Sequence, residues 1–147
     1  MISIIIPVKN EQDNVVPLTN QLVEVLNTIE QEYEIIFVDD GSTDKTVDNL
    51  VELLNQDENN GLTIIELRHN FQKSAAMTAG FNHAKGDIII TMDGDLQDDP
   101  HDIPKMLEAL EPRVDVVCGW RKIRKDPFFI KRFPSLIYNY LNRLLNG

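Results

Sequence analysis

Apolar residues gather in five short runs along the chain: ISIIIPV (2–8), EIIFVD (34–39), LTIIELR (62–68), DIIITMD (87–93) and VDVVCGW (114–120). The runs are nearly unbroken and rich in β-branched residues, as expected of strands covered on both faces in a mostly parallel sheet. Between them the spacing turns helical. NVVPLTNQLVEVLNTI (14–29) and TDKTVDNLVELLN (43–55) are the clearest cases; in the second, Val47, Leu50, Leu53 and Leu54 fall on one side, with Ser42 or Thr43 placed as N-cap. A third helix is expected over KSAAMTAGFNHA (73–84) and a short fourth after Pro104, whereas NQDENNG (55–61) reads as an exposed polar loop. Strand and helix alternate, which predicts an α/β fold: an open, mostly parallel sheet flanked by helices, with its ligand site beyond the carboxyl ends of the strands.

A chain of 147 residues with 42% hydrophobic content can build one domain with a core. Its net charge of −10 is unevenly spread, with 7 Lys/Arg against 23 Asp/Glu in residues 1–118 and 7 against 1 in residues 119–147. The acidic body argues against nucleic acid as a partner, while the basic tail calls for an anionic one, either a phosphate group or a lipid surface. Cys118, the single cysteine, excludes an internal disulfide, suits a reducing compartment and is expected as a small core residue. MISIIIPVKNE has no basic region before its apolar run, so no signal peptide is expected there, and no run reaches the roughly 18 apolar residues that span a bilayer. A soluble or peripheral chain is the expectation.

Three polar motifs follow strands and should converge on one sheet edge: PVKNE (7–11), VDDGSTD (38–44) and MDGDLQDDP (92–100). The last holds Asp93, Asp95, Asp98 and Asp99. Like charges this close repel unless neutralised, and a divalent cation held by oxygen ligands is the simplest remedy. Asp93 and Asp95 flank Gly94, so a tight turn can aim both at one point, with Gln97 as a neutral oxygen donor; magnesium or manganese suits such an open site. Asp98 and Asp99, with Pro100 behind them, can instead solvate a turn or cap the next helix. Asp39 and Asp40, before Gly41, suit the hydroxyls and N–H groups of a nucleoside, and Lys9, Asn10 and Glu11 can line the same pocket. Lys73 reads either as a counter-charge to a diphosphate or as a solvated surface lysine. His69, His83 and His101 form no ligand set by spacing, and His101 reads as a surface histidine near the acidic motif.

In this order, PVKNE, VDDGSTDKT, RHNFQKSAAMTAGF and MDGDLQDDP resemble the family 2 glycosyltransferases of GT-A fold, in particular the branch of dolichyl-phosphate mannose synthases and bacterial polyprenyl-phosphate glycosyltransferases. DLQDDP points to the lipid-phosphate branch. The resemblance implies a Rossmann-like GT-A sheet truncated before the second half of the fold, with residues 1–120 binding the nucleotide sugar. By the same resemblance Pro7, Asn10 and Glu11 match the first nucleotide-contacting segment, Asp39 and Asp40 the contacts to base and ribose, and Asp93, Asp95 and Gln97 the metal-holding aspartate motif beneath the diphosphate. Two positions depart from the family pattern: Gly94 stands where alanine is usual, and Gln72 where glycine is common.

Residues 121–147 form a basic amphipathic segment in which Phe133, Leu136, Ile137, Tyr140, Leu141, Leu144 and Leu145 follow helical spacing beside Lys131, Arg132 and Arg143. Periodicity alone favours a helix packed on its own domain or on a second copy in a homo-oligomer; the resemblance favours a helix at a membrane surface. It further matches Arg121, Arg132 and Ser135 to the grip on the acceptor phosphate, with Lys131 or Arg124 as substitutes. The implied enzyme moves a hexose from a GDP- or UDP-sugar to a polyprenyl phosphate with inversion, using Mg²⁺ or Mn²⁺, at the cytoplasmic face of a membrane. Asp95, Arg121 and Arg132 would carry catalysis, and a polyprenyl phosphate, already ionised, needs no general base. A saccharide or protein hydroxyl acceptor is the alternative among enzymes, and a nucleotide- or metal-binding module without turnover the alternative outside them. A phospho-accepting receiver would need an acidic pair where PVKNE stands.

Overall fold

The computed structural model describes residues 1–56 and 61–119. Met1–Ala109 is one compact unit and Leu110–Gly147 a second. In the first, β1 (Ile2–Val8), α1 (Val15–Leu26), β2 (Tyr33–Asp39), α2 (Thr46–Gln56), β3 (Leu62–Glu66), α3 (Lys73–His83) and β4 (Ile88–Thr91) follow in strict alternation. A 3₁₀ turn (Pro100–Asp102) then leads into α4 (Ile103–Glu108). The four strands are all parallel, in the order β3-β2-β1-β4.

Strand periodicity sorts the core into two layers. Ile2, Ile4, Ile6 and Val8 of β1, with Ile35 and Phe37 of β2, pack beneath Leu18, Leu22 and Leu26 of α1, Leu50 of α2 and Ile103 of α4. Ile5, Ile36 and Val38 point the other way, onto Ala76 of α3. β1 therefore buries both faces, which is why its sequence does not alternate. Each fully buried Ile or Leu contributes about 1.5–3 kcal/mol relative to exposure. α3 comes this close because of Gly80, where an added Cβ would overlap the Ile5 side chain. β4 is covered on one face only, and Ile89 on the other remains 42% exposed.

The first four runs and all four helices lie where their periodicity predicts. Leu54, in the last turn of α2, stays exposed although Leu50 on the same side is buried. The fifth run does not form a strand over its described part, residues 114–119. Val116 is 74% exposed and Cys118 is exposed rather than in a core. An apolar run becomes a strand only where a neighbour supplies its ladder of hydrogen bonds, and among the described residues none pairs with it. The expected tail helix falls outside the described residues, and among those described no helix is long and apolar enough to cross a membrane.

Candidate functional site

β2 and β3 lie to one side of β1 and β4 to the other, so the carboxyl ends of β1, β2 and β4 open side by side at one edge of the sheet, where ligands of open α/β sheets bind. A cleft of about 410 Å³ lies there. Pro7, Val8, Lys9 and Glu11 line it from β1 and its loop, and Asp40 from the end of β2. Asn70, Gln72 and Lys73 enter it from the β3–α3 connection, and Asp93, Gly94 and Asp95 from the segment after β4. Another cleft, of about 340 Å³ and lined by Thr19, Asn20, Val23, Ile35, Leu53, Gln56 and Leu62, has no charged residue in its lining. Of these two, only the first offers charged side chains to an ionic ligand.

The loops after β1 and β2 are laced together. Asn10 takes a left-handed backbone, φ 56°, which asparagine tolerates better than most residues. Its N–H donates to Ser42 Oγ at 2.8 Å and its Oδ1 accepts from the Thr43 N–H at 2.8 Å. The Glu11 N–H donates to Thr46 Oγ1 at 2.8 Å, while Gln12 exchanges bonds with Asp44 and Lys45. Asn10 thus ties the two loops together and is not among the residues that line the cleft. Asp44, not Ser42 or Thr43, receives the Thr46 N–H at the start of α2, because Ser42 and Thr43 are bound to Asn10. Burial pushes the Asp44 carboxyl up, but the Thr46 hydroxyl and the N–H groups of Thr46 and Gln12 more than offset this and hold it below its ordinary range.

The adjacent aspartates Asp39 and Asp40 divide their work. Asp39 is buried; its Oδ2 accepts the Ser42 N–H at 2.9 Å, and its Oδ1 has no partner among the described residues. Asp40 lines the cleft and accepts the Phe71 N–H at 2.7 Å, drawing the β3–α3 connection over Gly41. Gly41 is required there: its φ is +70°, and an added Cβ would meet the His69 backbone at 2.7 Å. On that connection Gln72 holds φ 76°, ψ 158°, a region essentially confined to glycine, at a cost of order 1–3 kcal/mol.

The four clustered carboxylates each have their own partner. Lys73 Nζ pairs with Asp93, the Gln97 N–H donates to Asp95 Oδ1 at 3.0 Å, and Asp98 Oδ2 accepts the Asp93 N–H at 3.2 Å. Asp99 accepts the His101 N–H at 3.0 Å, with the His101 ring nitrogen Nδ1 2.9 Å away, capping the 3₁₀ turn. These bonds hold the Asp99 carboxyl below its usual range. Each carboxylate thus has a partner within the protein, and among these Lys73 brings a full positive charge to Asp93. The left-handed residue of this turn is Leu96, φ 58°, not Gly94. Gly94 instead allows close approach to β1, since an added Cβ would lie 2.6 Å from Val8 Cγ1.

Asp93 and Asp95 fit a divalent ion. Two carboxylates share one solvent-open cleft, the donor set of an ion that completes its shell with water and ligand phosphates rather than a closed protein cage. No group of three His, Cys, Asp or Glu suited to a metal occurs among the described residues. The exposed Gln97 is not among the lining residues, nor is His101. Pro7, Glu11, Asp40, Lys73, Asp93 and Asp95 are brought together as expected; Arg121, Arg132 and Ser135 lie outside the described residues. The roles of Gln12, Ser42, Asp44 and Thr46 in fixing the cleft were missed, although short polar residues after two strands are the signature of such lacing.

Residues 3–146 match the family described as Glycosyl transferase family 2. The chain belongs to that family. A dodecaprenyl-phosphate galacturonate synthase of Rhizobium johnstonii is 44% identical over 99% of this chain and 43% of its own length. An undecaprenyl-phosphate 4-deoxy-4-formamido-L-arabinose transferase of Edwardsiella ictaluri is 37% identical over 97% of the chain and 43% of its own length. This family 2 chain thus spans less than half the length of these curated relatives. Among solved structures, a mannosyltransferase from Pyrobaculum calidifontis in complex with GDP-Man and Mn²⁺ superposes with a TM-score of 0.63 at 24% identity, over 77% of this chain and 33% of that one. That likeness shows the fold, which is GT-A.

Proposed function

We propose that this family 2 chain is the donor-binding portion of a glycosyltransferase that moves a hexose from a GDP- or UDP-sugar to a polyprenyl phosphate, with inversion and with a divalent ion. The observation that carries the reading is the convergence of Asp40, Lys73, Asp93 and Asp95 on one cleft beyond the carboxyl ends of the strands. Two relatives named as polyprenyl-phosphate sugar transferases support the acceptor class.

Asp40 orients the nucleoside, with Asp39 holding the turn beneath it. Lys73 exchanges Asp93 for the donor diphosphate and neutralises its charge. Asp93 and Asp95, with Gln97 behind them, would hold Mg²⁺ or Mn²⁺, which when bound supplies further positive charge for the leaving diphosphate. An acceptor phosphate oxygen forms the new bond to the anomeric carbon as the bond to the nucleoside diphosphate breaks. The electron pair departs with that diphosphate, and in-line attack inverts the carbon. No proton moves, because the acceptor is already ionised. Arg121, Arg132 and Ser135 hold that phosphate, and residues 121–147 lie at the cytoplasmic membrane surface.

The second reading is a module that binds nucleotide and metal without turnover. Calorimetric titration with GDP and UDP, with and without Mn²⁺, tests the shared site. A radiolabelled sugar-transfer assay onto polyprenyl phosphate in detergent separates the two, since binding without transfer identifies the module. Absence of Mn²⁺-dependent nucleotide binding defeats both.

A further inference from the structure

We infer that Gln72 is a nucleotide-contacting residue whose side-chain carboxamide hydrogen-bonds the nucleoside diphosphate of the donor; this rests on the donor-site reading above. Gln72 occupies a backbone conformation, φ 76° and ψ 158°, that glycine enters freely and a side chain does not. Its backbone is held by the protein: the N–H donates to Asn70 Oδ1 at 2.9 Å, and the carbonyl accepts from Ala75 and Ala76 N–H at 3.0 and 3.3 Å. Glycine would satisfy all of these bonds without the strain. The carboxamide, by contrast, makes no hydrogen bond within the described residues, although it lines the cleft.

Its position narrows what it can touch. The preceding residue, Phe71, is tied to Asp40, and the following one is Lys73, and both Asp40 and Lys73 line the cleft; in the reading above they meet the nucleoside and the diphosphate. A carboxamide between them offers both a donor and an acceptor, matching phosphate oxygens, ribose hydroxyls and base edges. A strained residue whose exposed side chain makes no bond within the described residues, at the lining of a cleft, is the pattern expected of a binding residue.

Two variants of the 147-residue chain test this, titrated with UDP and GDP in the presence of Mn²⁺ and followed by thermal unfolding. Gln72→Gly should raise the thermal midpoint, because strain is removed, and weaken nucleotide binding about three- to tenfold, the equivalent of one neutral hydrogen bond. Gln72→Glu keeps shape and backbone but sets a carboxylate against the diphosphate; it should leave the midpoint unchanged and weaken binding more than the glycine variant. If Gln72→Gly binds as tightly as the unaltered chain, or Gln72→Glu as tightly as glutamine, the inference is overturned. Failure of the unaltered chain to bind either nucleotide overturns the donor-site reading itself, a distinct result.

Discussion

Glu34 and Asp93 sit at opposite ends of the same sheet, and their surroundings differ in kind. At the amino end Glu34 is buried and held through one oxygen: its Oε1 accepts the Ser3 hydroxyl at 2.6 Å and the Lys85 N–H at 2.7 Å, while Ser3 Oγ accepts the Gly86 N–H at 2.8 Å. Ser3 and Glu34 are partners in the β1/β2 register, so the network closes on regular backbone. At the carboxyl end Asp93 is half-exposed and paired with the flexible Lys73, Asp39 Oδ1 has no partner among the described residues, and Asp40 faces an open cleft. The three non-glycine residues with positive φ among the described residues, Asn10, Gln72 and Leu96, all lie in connections at this end. One end is optimised for the fold. The other carries positive-φ backbone, a half-exposed ion pair and an unpartnered buried carboxylate oxygen, which is the pattern the proposed donor site would require.

The comparison predicts that substitutions at the two ends will separate binding from stability. Asp95→Ala should have the largest effect, abolishing Mn²⁺-dependent nucleotide affinity in calorimetry while leaving the thermal midpoint where it was. Unchanged Mn²⁺-dependent binding would remove Asp95 from the site. Glu34→Ala should do the reverse: leaving the Ser3 hydroxyl and Lys85 N–H unpaired costs about 1–3 kcal/mol in urea unfolding, with nucleotide affinity unaltered. A loss of binding equal to the loss of stability would show that the two ends are not independent.

Lys73→Met sharpens the contrast within the carboxyl end. Freed from its ion pair, Asp93 should bind Mn²⁺ alone about two- to fivefold more tightly, the range of an exposed pair, while affinity for UDP or GDP falls. Electron paramagnetic resonance of free Mn²⁺ reads the first effect; weaker Mn²⁺ binding would mean that Lys73 does not compete for Asp93.

The smallest effect is one of pH. Burial raises the Glu34 carboxyl, but the Ser3 hydroxyl, the Lys85 N–H and the nearby charges of Lys85 and His83 together bring it below its ordinary value of 4.5. A depressed value in the folded state means that Glu34 contributes stability that is complete above about pH 4.5 and is lost as pH falls through its folded value. Urea midpoints should therefore drop less steeply below that pH in Glu34→Gln than in the unaltered chain. Parallel slopes would show that the Glu34 network carries no linkage.

Much of this was legible in the chain itself. Unbroken β-branched runs marked four strands, and for β1 and β2 the reason is burial on both faces, which requires apolar residues at nearly every position; the alternating helical periods determined a parallel sheet flanked by helices. The order of the polar motifs brought Asp40, Asp93 and Asp95 to one edge for the same topological reason. Tertiary structure decided the rest. The fifth apolar run is not a strand over its described part because no neighbour pairs with it there, a matter of partners rather than composition. Asn10 is withheld from the cleft lining by hydrogen bonds to a loop more than 30 residues away, a pairing that local sequence does not encode, whereas Asp39 is held by the nearby Ser42 N–H and buried by the packing around it. Gln72 looked like a departure from a glycine; only its backbone angles reveal a side chain held under strain against a ligand cleft.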